Sequence, residues 1–384
     1  MSGSSGGSPH RAWVEVDHAA LASNLGVLRR LAGEERRVIA VVKANAYGHG
    51  AIEVSRTLLR HGAEHLAVAT LGEGLALRGA GIEAPILVLW GLGAPEAGPA
   101  LAADLEPVVY DEAGIDLLER TAASLGRRAS VQLKIDSGLG RQGSDPTLAV
   151  DLALRISRSR HLRLAGTFSH LAVPGEDEAY TDVQLLRLAQ ALDAMRSAGA
   201  DPGLVHMAAT GGVLSGAGSF GDAIRPGLGL YGMVPAWLGD REVGLRPVLS
   251  LKALPLRIFD LPAGDAIGYW LRFRTERATR IATLGIGYGD GWPRAHANNG
   301  WVLVRGERRP IVGAVSMDGI TVDLGDLDDV TYADEFVLIG GQMRARIDAD
   351  EVAAQRRTIN YEVTTTLRDR LPRVHLREVA ADPG

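Results

Sequence analysis

The sequence predicts an α/β fold, a (β/α)8 TIM barrel followed by a mainly antiparallel β domain, and three observations lead there. The chain has 384 residues, about two and a half times the ~150 that serves as a prior for one domain, so two domains are expected. Between residues 37 and 225, about eight short apolar segments alternate with segments of helical periodicity, which is what a (β/α)8 barrel needs. Beyond Gly232 the texture changes to short strands of alternating polarity, the mark of an antiparallel sheet with one solvated face.

Taken in order, residues 1–11 read as a flexible arm without the apolar centre of a secretory signal. Ala12–Val16 alternates like a half-exposed strand. Asp17 then caps a helix on which Leu21, Leu25, Leu28 and Leu31 recur at helical spacing, and Gly33 closes it. Strands are expected near 37–42, 65–69, 85–89, 105–110, 130–135, 162–168, 204–208 and 222–225. The clearest helices lie near 50–60, 111–125, 146–158 and 180–198; those near 71–79 and 94–103 are interrupted by glycine or proline. A doubly wound open sheet satisfies the same strand count. The barrel domain is assigned to 12–245. The β domain, 246–384, contains LSLKALPLRIFDL, ATRIATLGI, GWVLVRG, RRPIVGAVSMDGITVDL and DEFVLIG, with one helix near Asp348–Arg356.

Composition excludes several classes. Apolar residues make up 46% of the chain, yet no window approaches the ~20 consecutive apolar residues of a membrane helix. The net charge of −5 is spread among interspersed acids and bases, so there is no stripe for nucleic-acid phosphates. The absence of cysteine removes disulfides, thiolate metal sites and a thiol nucleophile together, and fits a cytoplasmic protein.

The chemistry concentrates at strand ends. Val38–Val42 reads as a strand buried on both faces that stops at Lys43, and Tyr47, Gly48 and Gly50 then offer a hydroxyl and approachable backbone amides for an anion. A lysine beside an anion site suggests a Schiff base with a phosphorylated cofactor. Other strands run into Lys134, Asp136 and Arg141, into Ser169-His170, into Thr210-Gly211-Gly212 and into Arg225-Pro226-Gly227. Barrel enzymes gather their chemistry at that end of the strands, so a joint site is expected. Gly227–Gly232 matches G-x-G-x-x-G, but no convincing helix follows, which argues against a dinucleotide and leaves amides for a single phosphate. His61 and His65 have metal-ligand spacing without a third ligand nearby and read as structural, so no metal is expected.

Together these stretches resemble the alanine racemase family of fold-type III pyridoxal-phosphate enzymes. The motifs are Val42–Gly50, Lys134–Arg141, Arg225–Gly232, Gly287–Arg294, Ser316-Met317-Asp318 and Thr358–Glu362, and the likeness extends from about residue 12 to residue 375. The resemblance implies that the cofactor is pyridoxal 5'-phosphate, joined to Lys43, and that the enzyme is a homodimer with shared active sites. Lys43 and, from the other subunit, Tyr269 would be the two bases of racemisation. Tyr47, Thr210, Tyr361, Gly227 and Leu228 would hold the phosphate, and His170 and Arg225 would complete the cofactor network. Arg141, Met317 and Asp318 would meet a small amino-acid substrate. Lys134 matches a lysine often carbamylated, and Tyr288 and Arg294 match the substrate entryway. No nucleic acid or membrane partner is implied.

The chain departs from the family pattern at Ala209, where asparagine is common, at Trp270, where glycine is usual, in the segment after His170, and at Ala314 and Gly319. These positions shape phosphate contact, substrate pocket and entryway. L- and D-alanine are therefore the default substrates, with serine or a broader range as the alternative and a non-catalytic pyridoxal-phosphate-binding protein as the other. A related decarboxylase is disfavoured, since Arg225 stands where that enzyme has glutamate and the chain has no cysteine.

Overall fold

The computed structural model describes residues 10–217, 220–239 and 242–376; most of the expected arm, residues 1–9, lies outside them. The chain divides into two compact units. One comprises Ala20–Ala46 and Gly50–Arg246, the other Met1–Ala19, Tyr47–His49 and Pro247–Gly384.

After β1 (Ala12–Asp17) and the helix His18–Ala32 come the barrel strands: β2 (Arg37–Val41), β3 (His65–Val68), β4 (Ile86–Val88), β5 (Glu106–Val109), β6 (Ala129–Lys134), β7 (Leu162–Phe168), β8 (Leu204–Ala209) and β9 (Ala223–Arg225). Each pairs in parallel with the next, and β9 closes on β2. Closure settles the choice between barrel and open sheet. Because helices cover the outside, parallel strands are buried on both faces and read as unbroken apolar runs, as in Ile86-Leu87-Val88. The interrupted helices form because they are well capped. Thr70 and Glu73 make a reciprocal capping box at the start of Leu71–Gly79, and the Gly93 amide donates to Glu96 at 2.9 Å at the start of Ala94–Ala102.

The second unit is built on a ten-stranded sheet. Its strands are β1, β10 (Leu249–Ala253), β11 (Pro255–Leu261), β14 (Thr279–Leu284), β15 (Trp301–Val304), β16 (Glu307–Val312), β17 (Ile320–Gly325), β18 (Phe336–Gln342), β19 (Ala345–Ile347) and β20 (Arg373–Leu376); β12 (Ala266–Ile267) and β13 (Phe273–Arg274) pair separately. The first strand, assigned from the sequence to the barrel domain, instead joins this sheet. β1 pairs antiparallel with β10 and parallel with β20. The reason lies in its alternation: Val14 and Val16 are buried on one face, while on the other Glu15 accepts from the Trp13 indole at 3.0 Å and reaches Lys252 on β10 at 2.9 Å, a cross-strand ion pair suited to an antiparallel sheet rather than to a barrel strand apolar on both faces. A second helix, Asn360–Thr365, follows Ala349–Arg356. Its β-branched and aromatic composition hides it from propensity arguments.

Candidate active site

In the barrel unit, Val42 and Lys43 leave β2 into a turn with an unusual backbone. Ala44, Asn45, Ala46 and Tyr47 have φ of 52, 53, 54 and 52°, a left-handed turn that costs L-residues about 1–2 kcal/mol each. Small side chains reduce the clash, and asparagine tolerates this region. The turn is held by specific bonds: the Ala44 amide donates to Glu73 at 2.6 Å, and Asn45 accepts from the Ala51 amide at 2.8 Å. Glu73 also accepts from the Ala69 amide at 2.7 Å, so its carboxylate is largely committed to backbone. Burial and the nearby Arg141 charge lower the pKa of Lys43, with Glu73 opposing them. The amine is thus biased toward its neutral, nucleophilic form.

Lys134, at the end of β6, is buried and donates to Gln142 at 2.9 Å. Burial, then Arg141 and Arg225, bring its pKa down to about 8. Asp136 is no counter-ion for it in the ordinary sense. Although burial works against ionisation, the amides of Gly138, Leu139 and Gly140 bond its carboxylate at 2.9, 2.8 and 3.2 Å and hold it below the usual range. That carboxylate shapes the loop carrying Arg141, an exposed guanidinium stacked 5.6 Å from the Trp90 ring.

Arg225, at the end of β9, is buried. Its guanidinium donates to the Ser169 and Met207 carbonyls at 2.7 and 3.1 Å, to His206 Nδ1 at 2.5 Å and to His170 Nδ1 at 3.3 Å. Burial, followed by the charges of Arg225, Arg141, Lys134 and Lys43, drives the His170 pKa far below the histidine range, so this imidazole is neutral. Thr210 Oγ1 accepts from the Gly227 and Gly229 amides at 3.2 and 3.0 Å. Its own proton is therefore free to point outward. Leu228 follows on the short helical turn Leu228–Tyr231. The barrel unit thus brings together Lys43, Lys134, Arg141, His170, Thr210, Arg225, Gly227 and Leu228.

The sheet unit holds the rest. The Tyr47 and Tyr361 rings are 6.3 Å apart. Burial raises the pKa of both, and Tyr361 adds to the shift of Tyr47, so both phenols are kept as hydrogen-bond donors. Tyr269 heads a short turn, Tyr269–Leu271, and is 65% exposed. Trp270 beside it has φ 60°, and the guanidinium groups of Arg272 and Arg294 lie 5.2 and 4.8 Å from its ring. Backbone bonds tie the loop of Tyr288 to that of Met317: the Tyr288 amide donates to Ser316 O at 3.0 Å and the Gly289 amide to Met317 O at 2.8 Å. Behind them the fully buried Asp290 accepts from Arg11 at 2.7 Å and from the Gly287 amide at 3.0 Å, while Arg370 reaches Asp318 at 2.5 Å. A cavity of about 410 Å³ is lined by Tyr269, Ala314, Ser316, Gly319 and neighbours.

Sequence reasoning missed Glu73, His206, Gln132 and Asp290. His206 and Gln132 had a signal: His206 is the lone polar residue of the apolar strand Leu204–Ala209, four residues before Thr210, and Gln132 is a polar residue inside β6, two before Lys134. Among the described residues no three potential metal ligands cluster, and no helix is long and apolar enough to cross a membrane.

The donor set suits a phosphorylated pyridine aldehyde. The barrel rim supplies the Thr210 hydroxyl for an anion, with a lysine amine biased toward neutrality and a buried guanidinium as donor, and the sheet unit holds two phenol donors of its own, Tyr47 and Tyr361. Residues 16–235 match the family model "Alanine racemase, N-terminal domain", and residues 248–375 match "Alanine racemase, C-terminal domain". An alanine racemase from Synechocystis is 39% identical over 95% of this chain and 98% of its own. The crystal structure of alanine racemase from D-cycloserine-producing Streptomyces lavendulae superposes with a TM-score of 0.90 at 34% identity, covering 97% of this chain and 99% of that one. The Bartonella henselae alanine racemase, whose structure has covalently bound pyridoxal phosphate, superposes with a TM-score of 0.83 at 29% identity, covering 96% of this chain and 100% of that one. The chain belongs to the alanine racemase family.

Proposed function

We propose that the protein interconverts L- and D-alanine with pyridoxal phosphate, as a cytoplasmic homodimer in which the barrel set of one subunit is completed by sheet residues of the other. The observation that carries this reading is the cationic rim. Lys43, Lys134, Arg141 and Arg225 share one barrel end while Glu73 and Asp136 are engaged by backbone amides, which leaves the cations for an anionic cofactor and a substrate carboxylate.

When bound, pyridoxal phosphate supplies an electron sink that acidifies the α C–H of an amino acid joined to it. The chain's own residues do the rest. Lys43 would hold the cofactor until the amine of an incoming amino acid displaces it, and the amine so released would move the proton on one face of the α-carbon, while Tyr269 of the partner subunit would move it on the other. A phenol is a poor base at its ordinary pKa of ~10, so its anion needs hydrogen bonds and positive charge close by; His170 and Arg225 supply them. Arg225 would donate to the pyridine nitrogen; because guanidinium keeps its proton, the residue would leave that nitrogen unprotonated and so moderate the electron sink, favouring proton return over side reactions. Tyr47, Thr210, Tyr361 and the amides at Gly227 and Leu228 hold the phosphate. Arg141, Met317 and Asp318 position the substrate, and Tyr288 with Arg294 lines its entryway. Lys134, its pKa brought down to about 8, is the amine best placed to take up carbon dioxide, and the resulting carbamate would orient Arg141 in a paired hydrogen bond.

Ala314 and Gly319 on the cavity beside Tyr269 favour a second reading in which serine and other small amino acids are also admitted. The test of the main reading is Lys43→Ala. It should abolish both L- to D-alanine exchange and the visible cofactor absorbance that borohydride fixes to the protein. Full exchange in that variant would sink the reading.

A further inference from the structure

The barrel interior contains a polar chain that starts at Arg225 and runs through residues the proposed chemistry does not use. Arg225 is 3% exposed, and its hydrogen bonds go to two carbonyls and two imidazole nitrogens rather than to a carboxylate. A buried cation without a paired anion is costly, so a counter-charge is expected nearby. Following the bonds inward finds one. His206 Nδ1 meets Arg225 at 2.5 Å, His206 Nε2 meets Gln132 Oε1 at 2.9 Å, and Gln132 Nε2 donates to Glu106 at 2.6 Å. His206 is fully buried, Gln132 1% exposed and Glu106 8% exposed.

Donor and acceptor roles along this chain have one solution. Guanidinium can only donate, so His206 Nδ1 accepts and the ring proton sits on Nε2. That proton needs an acceptor, so Gln132 presents its oxygen. Its amide nitrogen then faces Glu106, and a carboxylate, accepting only, fixes that orientation. Burial, then the charge of Arg225, keeps His206 neutral, as this arrangement requires.

The backbone is built around the same contact. The β6–β7 register shifts between Val131 and Gln132, which places Gln132 opposite Gly166. Such a bulge re-aims a side chain. A Cβ at Gly166 would lie 2.7 Å from Gln132 Oε1 and 2.5 Å from Leu204 O, so any larger residue would displace the amide. Phe168 stacks on the His206 ring with centroids 4.7 Å apart and also lies beneath Arg225, 4.9 Å from its Cζ.

We propose that Glu106 and Gln132 are positioning residues for the reaction: through His206 they hold one imidazole tautomer and thereby aim Arg225. The role rests on the functional reading above, in which Arg225 faces the pyridine nitrogen. Glu106→Gln is nearly isosteric but can meet Gln132 with either end of its amide, so Gln132 is free to flip. A flipped Gln132 asks His206 to accept at Nε2 and to place a proton on Nδ1, against the guanidinium.

The test uses the full-length protein. Nitrogen-15 spectra of the cofactor-free form, with His206 assigned by its loss in His206→Asn, should show the Nε2–H tautomer in wild type and a second tautomer in Glu106→Gln. Loaded with cofactor, Glu106→Gln should racemise alanine with kcat about tenfold lower, equivalent to ~1.4 kcal/mol, with KM little changed and more pyruvate formed per turnover. Gln132→Met, which removes the amide while keeping the bulk, should lower kcat in the same way. A wild-type Nδ1–H tautomer overturns the proposal. So does a tautomer unchanged in Glu106→Gln, or one that shifts while kcat and pyruvate partitioning stay constant. Wild-type enzyme that fails to racemise would instead remove the functional reading, and the role of Glu106 with it, whatever the state of His206.

Discussion

Replacing Gly48 by alanine should damage cofactor binding through a clash that can be sized in advance. Gly48 has φ 86°, and a Cβ built on it would lie 2.1 Å from the Thr364 carbonyl oxygen. An ordinary contact begins at 3.4 Å, 1.3 Å more than the 2.1 Å found, so either the loop of Tyr47 or the helix Asn360–Thr365 must move by about that amount. Left-handed strain for a non-glycine residue is about 1–2 kcal/mol, and overpacking of a well-filled contact is typically 1–3 kcal/mol. The expected loss of stability is therefore about 2–5 kcal/mol. Tyr361 lies on the displaced helix and Tyr47 immediately precedes the mutated position, so the geometry of the two proposed phosphate donors is disturbed together. Misplacement on this scale can cost as much as ~100-fold in function, and cofactor affinity should fall tenfold or more. Thermal melting of the cofactor-free protein and a titration of pyridoxal phosphate followed by absorbance would measure both. Gly98→Ala is the control: it sits within the helix Ala94–Ala102 with nothing within 4 Å of a new Cβ and should stabilise by about 0.5–1 kcal/mol. A Gly48→Ala protein with wild-type melting and unchanged affinity would refute the reasoning.

Lys134 and Trp270 give further tests. The folded-state pKa of Lys134 is lowered from 10.5 to about 8, so between those values the unfolded chain binds the extra proton and stability rises with pH. The burial penalty, about 3 kcal/mol, is fully present below pH 8 and gone above pH 10.5. In buffer free of carbon dioxide, Lys134→Gln should therefore be the more stable protein at pH 7, with the advantage fading toward pH 10.5; denaturant curves with a constant gap at both pH values would contradict this. Trp270→Gly relieves a left-handed residue but removes the ring on which Arg272 and Arg294 rest. Strain relief of about 1–2 kcal/mol and the loss of two cation–π contacts at about 0.5–1 kcal/mol each nearly cancel, so the melting temperature should hardly move. KM for alanine should rise several-fold as Tyr269 and Arg294 lose their platform, and an unchanged KM would argue against that role.

The barrel was legible because a strand buried on both faces needs an uninterrupted apolar run, and each such run stops abruptly at the residue that matters, as at Lys43, His170 and Arg225. Conformations and partners set at long range were not legible. Nothing in Ala44-Asn45-Ala46-Tyr47 announces four successive left-handed residues, since alanine favours ordinary helix and only the surrounding bonds to Glu73 and Ala51 select the turn. Glu106 reads as a strand-end acid until β6 brings Gln132 to it. Asp290, two residues from Tyr288, reads as a loop residue until Arg11, 279 positions earlier, supplies its partner. The register of β1 is likewise fixed by strands more than 230 residues away.

That last separation bears on how the chain must fold. β1 lies between β10 and β20, so neither neighbour exists when it leaves the ribosome, and the whole barrel segment is synthesised before the first of them appears. At roughly 5–20 residues per second, the apolar face of Val14 and Val16, and Trp13 on the opposite one, wait ten seconds or more for β10 and longer for β20. Barrel formation does not require those strands. Completion of the second unit does, and its high contact order makes it the slow step. A nascent chain stalled short of residue 373 would therefore carry β1 with an unpaired edge, a ready template for association with other chains.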